Sequence, residues 1–188
     1  MRKSLIAAVV AASLFTLAAC SNDDDTDTAA SHNEADVTFA QEMIPHHQQA
    51  IEMADLAESR AESQEVKDLA TDIEAAQGPE IETLTGWLES WGEDVPDEGM
   101  SGMDHGDMSS DDMGGMMTED EMAELEAASG AAFDQMFLTM MIEHHEGAIE
   151  MAKTEQAEGE FPEAVDMAKE IETTQAEEIQ TMQDLLKS

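Results

Sequence analysis

Two stretches of the sequence set methionine and histidine at helical spacing. Met43, His46, His47 and Met53 form one set, and Met141, His144, His145 and Met151 form the other. On a helix, positions three, four and seven apart share a face, so each set presents two thioethers and two imidazoles on or beside an apolar stripe. Thioether sulfur is soft and neutral and suits Cu(I) and Ag(I); imidazole also accepts Cu(II), Zn(II) and Ni(II). Zinc ordinarily takes His, Cys or carboxylate, and methionine adds little for it. The mixture points to a copper ion, with Cu(I) favoured. His46 and Met53 are two turns apart, roughly 10 Å along the axis. The expectation is therefore one Met/His site per stretch, or one central site fed by both. The competing reading is packing: a methionine at this spacing is most often core, which applies above all to Met53 and Met151. Paired histidines resist that reading, because each buried imidazole needs a partner.

A separate signal lies between the two stretches. Met100, Met103, His105, Met108, Met113, Met116, Met117 and Met122 stand among Gly, Ser and Asp, with no helical or strand period to bury them. Flexible spacing lets two or three thioethers wrap a Cu(I) ion, with His105 as a further donor. The alternative is a low-complexity linker whose methionines consume oxidant. Gln77 and Gln175 interrupt apolar stripes at matching places, with Glu80 and Glu178 one turn on. They are expected to orient histidines from the facing helix, the alternative being ordinary buried hydrogen-bonding residues.

The elements that must carry these residues are helices. Ser31-His32-Asn33-Glu34 has the form of a capping box, and a helical pattern follows to about Ser59. A second runs from about Gln64 to Trp91, with Val66, Leu69, Ala70, Ile73, Ile81, Leu84 and Leu88 on one stripe. Gly92 to Thr118 breaks the period. Thr118-x-x-Glu121 is another capping box, opening a third helix expected to run to about Glu158. Pro162 suits the first position of a fourth. No segment sustains strand alternation. Pro45 is expected to kink or restart the first helix, and the second copy has Glu143 in its place.

An internal repeat fixes the architecture. Phe39 to Ala54 recurs as Phe137 to Ala152, His46 falling on His144 at an offset of 98 residues. The same offset pairs Asp68 with Asp166, Ile73 with Ile171, Gln77 with Gln175, Glu80 with Glu178 and Leu88 with Leu186. Each half is thus a helical hairpin, and two hairpins make an all-α antiparallel four-helix bundle with pseudo-two-fold symmetry. The divisions are a leader at 1–19, an acidic tether at 20–30, one hairpin at 31–92, a Met/Asp/Gly-rich loop at 93–117 and the second hairpin at 118–188.

The string Met-Ile-Pro-His-His-x-x-Ala-Ile-x-Met-Ala, read from Met43, resembles the signature of a bacterial family filed as a domain of unknown function. That family is grouped with ferritin-like bundles and includes a periplasmic copper-binding protein. The resemblance extends from about Asp36 to Leu186. It implies a ferritin-like four-helix fold, export, and copper binding or resistance for some members. Carried across, the motif residues are Met43, His46, His47 and Met53, then Met141, His144, His145 and Met151.

The N-terminus agrees with export. Arg2 and Lys3 precede an apolar run from Leu5 to Leu17, too short to span a bilayer comfortably, which ends Leu17-Ala18-Ala19-Cys20. This ending resembles a lipobox, so Cys20, the only cysteine, is expected to be acylated and to anchor the chain to a membrane at the outer face or in the periplasm. The alternative is an ordinary signal peptide with a chance cysteine. With Cys20 acylated, no thiol remains for a disulfide or a Cys-based metal site. The formal net charge is −38, with 45 acidic residues against seven basic ones. A basic groove for nucleic acid is absent, and the acidity concentrates cations without selecting among them. A di-iron oxidase would need Glu-x-x-His, but Met43 and Met141 stand three residues before His46 and His144. No nucleophile–base arrangement or phosphate-binding glycine loop stands out, so an enzyme is not expected. Two functions remain: copper sequestration or transfer at the cell envelope, and a helical interaction module whose histidines are only polar core residues. The sequence names no protein partner.

Overall fold

A computed structural model describes residues 31–96 and 114–188. Among them the chain forms five helices and no strand: α1 (Glu34–Arg60), α2 (Gln64–Trp91), α3 (Glu119–Ala127), α4 (Ala131–Glu158) and α5 (Pro162–Leu185). α1 packs along α2, α4 along α5, and the two hairpins meet along α1 and α4, with short α3 lying against both of the latter. None of these helices is long and apolar enough to cross a membrane. Cys20, the leader and the tether lie outside the described residues, as do Met100, Met103, His105, Met108 and Met113.

Local chemistry sets the helix ends, in three places differently from the sequence expectation. Asn33 rather than Ser31 caps α1: its Oδ1 accepts from Ala35 N at 2.8 Å and Asp36 N at 3.1 Å, and Asp36 Oδ2 accepts from Asn33 N at 2.6 Å. The box is shifted by two residues because Asp36, not Glu34, holds the position that reaches back. The expected third helix is two. Ala128 to Gly130 separates α3 from α4, and Gly130 at φ +63 takes a left-handed backbone that does not continue a helix. Pro45 neither ends nor restarts α1, which runs through it; the surrounding core holds the helix where the proline removes one backbone donor. The box of Thr118 and Glu121 and the place of Pro162 at the start of α5 are as expected.

Two aspartates tie the hairpins together. Asp134 of α4 accepts from Glu62 N at 3.0 Å and Ser63 N at 2.9 Å, in the turn of the other hairpin. Its repeat equivalent, Asp36 of α1, accepts from Glu160 N at 3.2 Å and Phe161 N at 2.9 Å in the opposite turn. Such charge-assisted bonds satisfy amides that open α2 and α5.

The core falls into two apolar clusters, one toward each end. The first gathers Ala50, Met53, Ala54 and Ala57 of α1, Val66, Leu69 and Ile73 of α2, Phe133, Phe137 and Met141 of α4, and Met182 of α5. The second gathers Phe39, Met43 and Ile44 of α1, Leu84 and Leu88 of α2, Ala148 and Ala152 of α4, and Ala164, Ala168 and Ile171 of α5. The first half of α1 thus packs with the last half of α4, an antiparallel seam. Burying large apolar side chains stabilises such a bundle by about 1.5–3 kcal/mol apiece. Between the clusters the interior is polar.

Candidate metal centre

The polar layer is built from equivalent residues of both hairpins. His46, His47, His144, His145, Gln77 and Gln175 are buried and belong to neither apolar cluster. Helical spacing puts His46 and His144 at the same height on α1 and α4. Their rings meet across the seam with centroids 3.8 Å apart and planes tilted by 41°. His144 and His145 have centroids 6.5 Å apart.

The adjacent histidines turn toward the outer helices. His47 Nε2 donates to Glu80 Oε2 of α2 at 2.7 Å, and His145 Nε2 donates to Glu178 Oε2 of α5 at 2.6 Å. Against a carboxylate Nε2 carries the proton, and in the neutral ring Nδ1 keeps its lone pair. Both rings are fully buried, and each Glu is about one-fifth exposed. The glutamines behave differently. No hydrogen bond joins Gln77 or Gln175 to a histidine; both amide atoms of Gln77 and the carbonyl oxygen of Gln175 lack a partner.

Among the described residues six buried imidazole nitrogens lack a well-formed hydrogen bond: both of His46, both of His144, and Nδ1 of His47 and of His145, although His46 lies against the Gly114 backbone and His144 against that of His46. Buried polar atoms are paired in the great majority of cases, so six orphans in one layer require an explanation. The rings of the seam pair are also kept neutral. Burial pushes His46 down to about 3, reinforced by His47, while the Gly114 backbone beside it acts in the opposite sense. His144 lies well below its ordinary value, through burial first and then His46, His145 and His47, while the His46 backbone beside it acts in the opposite sense. Neutral imidazole is the metal-binding form.

The methionines divide. Met43 and Met141 are fully buried, one turn before His46 and His144, beside the polar layer. Met53 is buried in the first cluster, two turns along, and Met151 is half-buried against the second. Met117 is buried in the first cluster, Met116 is half-buried and Met122 packs partly buried against the first cluster. Among the described residues no three His, Asp or Glu side chains converge as a metal-binding group. A metal held at the seam in this arrangement would draw on the His46/His144 pair and on thioether. Such a low, soft coordination fits Cu(I) or Ag(I) and departs from the three or four N, S or O ligands of zinc.

The sequence reading missed how residues 114–117 return to this layer. Gln49 Nε2 donates to Met117 O at 2.8 Å, and Met117 N donates to Gln49 Oε1 at 2.7 Å, both buried. On the other side Gly114 and Gly115 lie directly on the turn Glu143–Gly147 of α4. A methyl at Gly147 would run into the Gly114 carbonyl oxygen, and one at Gly115 into the Glu143 carbonyl oxygen. The available signal was the repeat itself, in which Gln49 and Gly147 are equivalents that differ.

The domain family described as domain of unknown function DUF305 matches residues 36–186. No protein of curated function matches the chain. Three similar solved structures are informative. A DUF305 protein from Streptomyces coelicolor, classed as secreted, is 33% identical with a TM-score of 0.70, over 81% of this chain and 91% of its own. A DUF305 fragment from Deinococcus radiodurans is 30% identical with a TM-score of 0.71, over 82% and 96%. CopM in its Cu(II)-bound form is 34% identical with a TM-score of 0.67, over 81% and 95%. CopM is also known in Cu(I)-bound and Ag-bound forms.

Proposed function

Starting from the fact that this chain belongs to the DUF305 family, we propose that it is an exported, lipid-anchored protein that binds copper, chiefly as Cu(I), and sequesters or passes it on at the cell envelope. The observation that carries the proposal is the set of six buried imidazole nitrogens without a well-formed hydrogen bond between the two apolar clusters. A soft monovalent ion would take one lone pair from each ring it meets, and the remaining N–H of His46 and of His144 would still need an acceptor. His46 and His144 would hold the ion across the seam, with Met43 and Met141 as thioether donors. His47 and His145, each held through Nε2 by a carboxylate, would offer Nδ1; a carboxylate in this position fixes the ring and raises its basicity. Met53 and Met151 remain packing residues.

The copper- and silver-bound structures of CopM support this choice of ion, and the Streptomyces relative supports export. Acylation of Cys20 rests on the Leu17-to-Cys20 ending alone. Met100, Met103, His105, Met108 and Met113 would serve as an outer capture segment, on the softness of their donors.

A ligand that binds only the folded state raises its stability in proportion to the logarithm of its concentration over Kd. Cu(I) or Ag(I) should therefore raise the Tm of the chain by several degrees at micromolar excess, and Zn(II) should do so far less. An equal response to all three, or none to any, would sink the proposal.

A further inference from the structure

Gln49 and Gly147 occupy equivalent places in the two halves, each three residues after a histidine of the seam pair, and the same four-residue backbone uses both. Gln49 grips the Met117 peptide from α1 at both its N–H and its C=O. Gly147, lacking a side chain, lets Gly114 and Gly115 settle on the turn of α4 that bears His144. Gly115 has φ +84, a left-handed backbone that favours glycine. Residues 114–117 therefore cross from one hairpin to the other at the height of His46 and His144, and both rings are essentially inaccessible to solvent. His47 and His145 are tied through Nε2 to Glu80 and Glu178.

We propose that residues 114–117 are a strap sealing the His46/His144 pair, and that Gln49 is the positioning residue that sets how fast metal enters and leaves. The inference rests on the metal-binding reading of the same layer. α1 packs on α2 and on α4, and α4 on α5, with the strap lying over the α1/α4 seam. Lifting the strap requires breaking two hydrogen bonds and a glycine contact. Its Met117 end packs in the first apolar cluster beside α3, so the strap has a fixed closed position. The pseudo-symmetric halves thus do unequal work: α1 supplies the clasp and α4 the bare surface.

The test is stopped-flow transfer of Cu(I) between the chain and a chromophoric chelator, in both directions. Gln49→Leu removes the clasp at similar volume, and Gly147→Ala displaces the strap from the opposite side by a different chemistry. Net loss of two buried hydrogen bonds corresponds to about a tenfold rise in uptake and release rates, with the number of ions bound unchanged. Hydrogen exchange at the Met117 amide should accelerate in Gln49→Leu, a readout that needs no metal. Wild-type exchange rates in both variants, with circular dichroism still helical, would overturn the strap and leave the copper reading standing. Failure of the unaltered chain to take up Cu(I) would overturn both.

Discussion

The imidazole rings of His46 and His144 lie with centroids 3.8 Å apart at the crossing of α1 and α4, and among the described residues none of their four nitrogens has a well-formed hydrogen bond. In a protein interior this arrangement costs stability unless something binds there. A buried polar atom left unsatisfied is worth about 1–3 kcal/mol. Replacing both rings by leucine should therefore stabilise the metal-free chain by a similar amount in urea denaturation, and abolish the Tm rise with Ag(I). A double variant less stable than the parent without metal would show that the histidines pack as structural residues.

Glu80 and Glu178 hold the companion rings. Partners in this position typically contribute 10–100-fold in metal affinity. Glu80→Gln and Glu178→Gln keep the shape and remove the charge, and each should weaken Cu(I) binding by about tenfold or more. The two should have similar effects, since the geometry repeats across the pseudo-two-fold axis. Competition titration of the two single variants checks both the size and the parity.

The buried acids at one end of the bundle predict a pH dependence. Glu155 is 1% exposed, and burial first, then its contact with the Asp36 carboxyl, pushes it up to about 8. It contributes stability in its protonated form, fully below its ordinary range near 4.5, and loses that contribution as pH rises through about 8. Asp36 works in the opposite direction. Burial pushes its carboxyl up, but hydrogen bonds from Asn33, Glu155, Phe161 and Glu160 outweigh that and hold it low, so its contribution is lost in acid. Above about pH 6 ordinary carboxylates are already ionised. Tm should therefore fall between pH 6 and 9 in the parent and stay flatter in Glu155→Gln, whose amide can donate to Asp36 without a titrating proton. Equal slopes would contradict the pairing.

Asp134 closes the opposite end with no such acid; Ala57 stands where the second half has Glu155. Asp134→Ala should cost about 1 kcal/mol through loss of two hydrogen bonds whose amides water can reach, with no change in pH slope. Denaturation midpoints at pH 6 and pH 9 measure both quantities.

Much of this was written in the repeat. The offset relating His46 to His144 also placed Gln77, Glu80 and their equivalents, because hairpins related by a two-fold axis bring equal positions to equal heights. The spacing of Met53 and Met151 left them open both as ligands and as core residues, and they lie in or against the apolar clusters. The strap was not legible, since the pairing of Gln49 with Met117 spans 68 residues and no local period announces it. The division of α3 from α4 was hidden for a different reason: Gly130 sits inside a run whose composition remains helical on both sides. The roles of Asp36 and Asp134 were within reach, as both lie on the 98-residue offset, but an aspartate on a helix reads as solvent-facing until its partner turn is placed.

Whether the metal sits between the hairpins is decided by a competition titration with Cu(I). The chain would be compared with a variant in which His46, His47, His144 and His145 are alanine, and with one in which Met100, Met103, His105, Met108 and Met113 are serine. The histidine variant should lose the tight site while the loop variant keeps it. Tight binding retained in the histidine variant and lost in the loop variant would contradict a site between the hairpins.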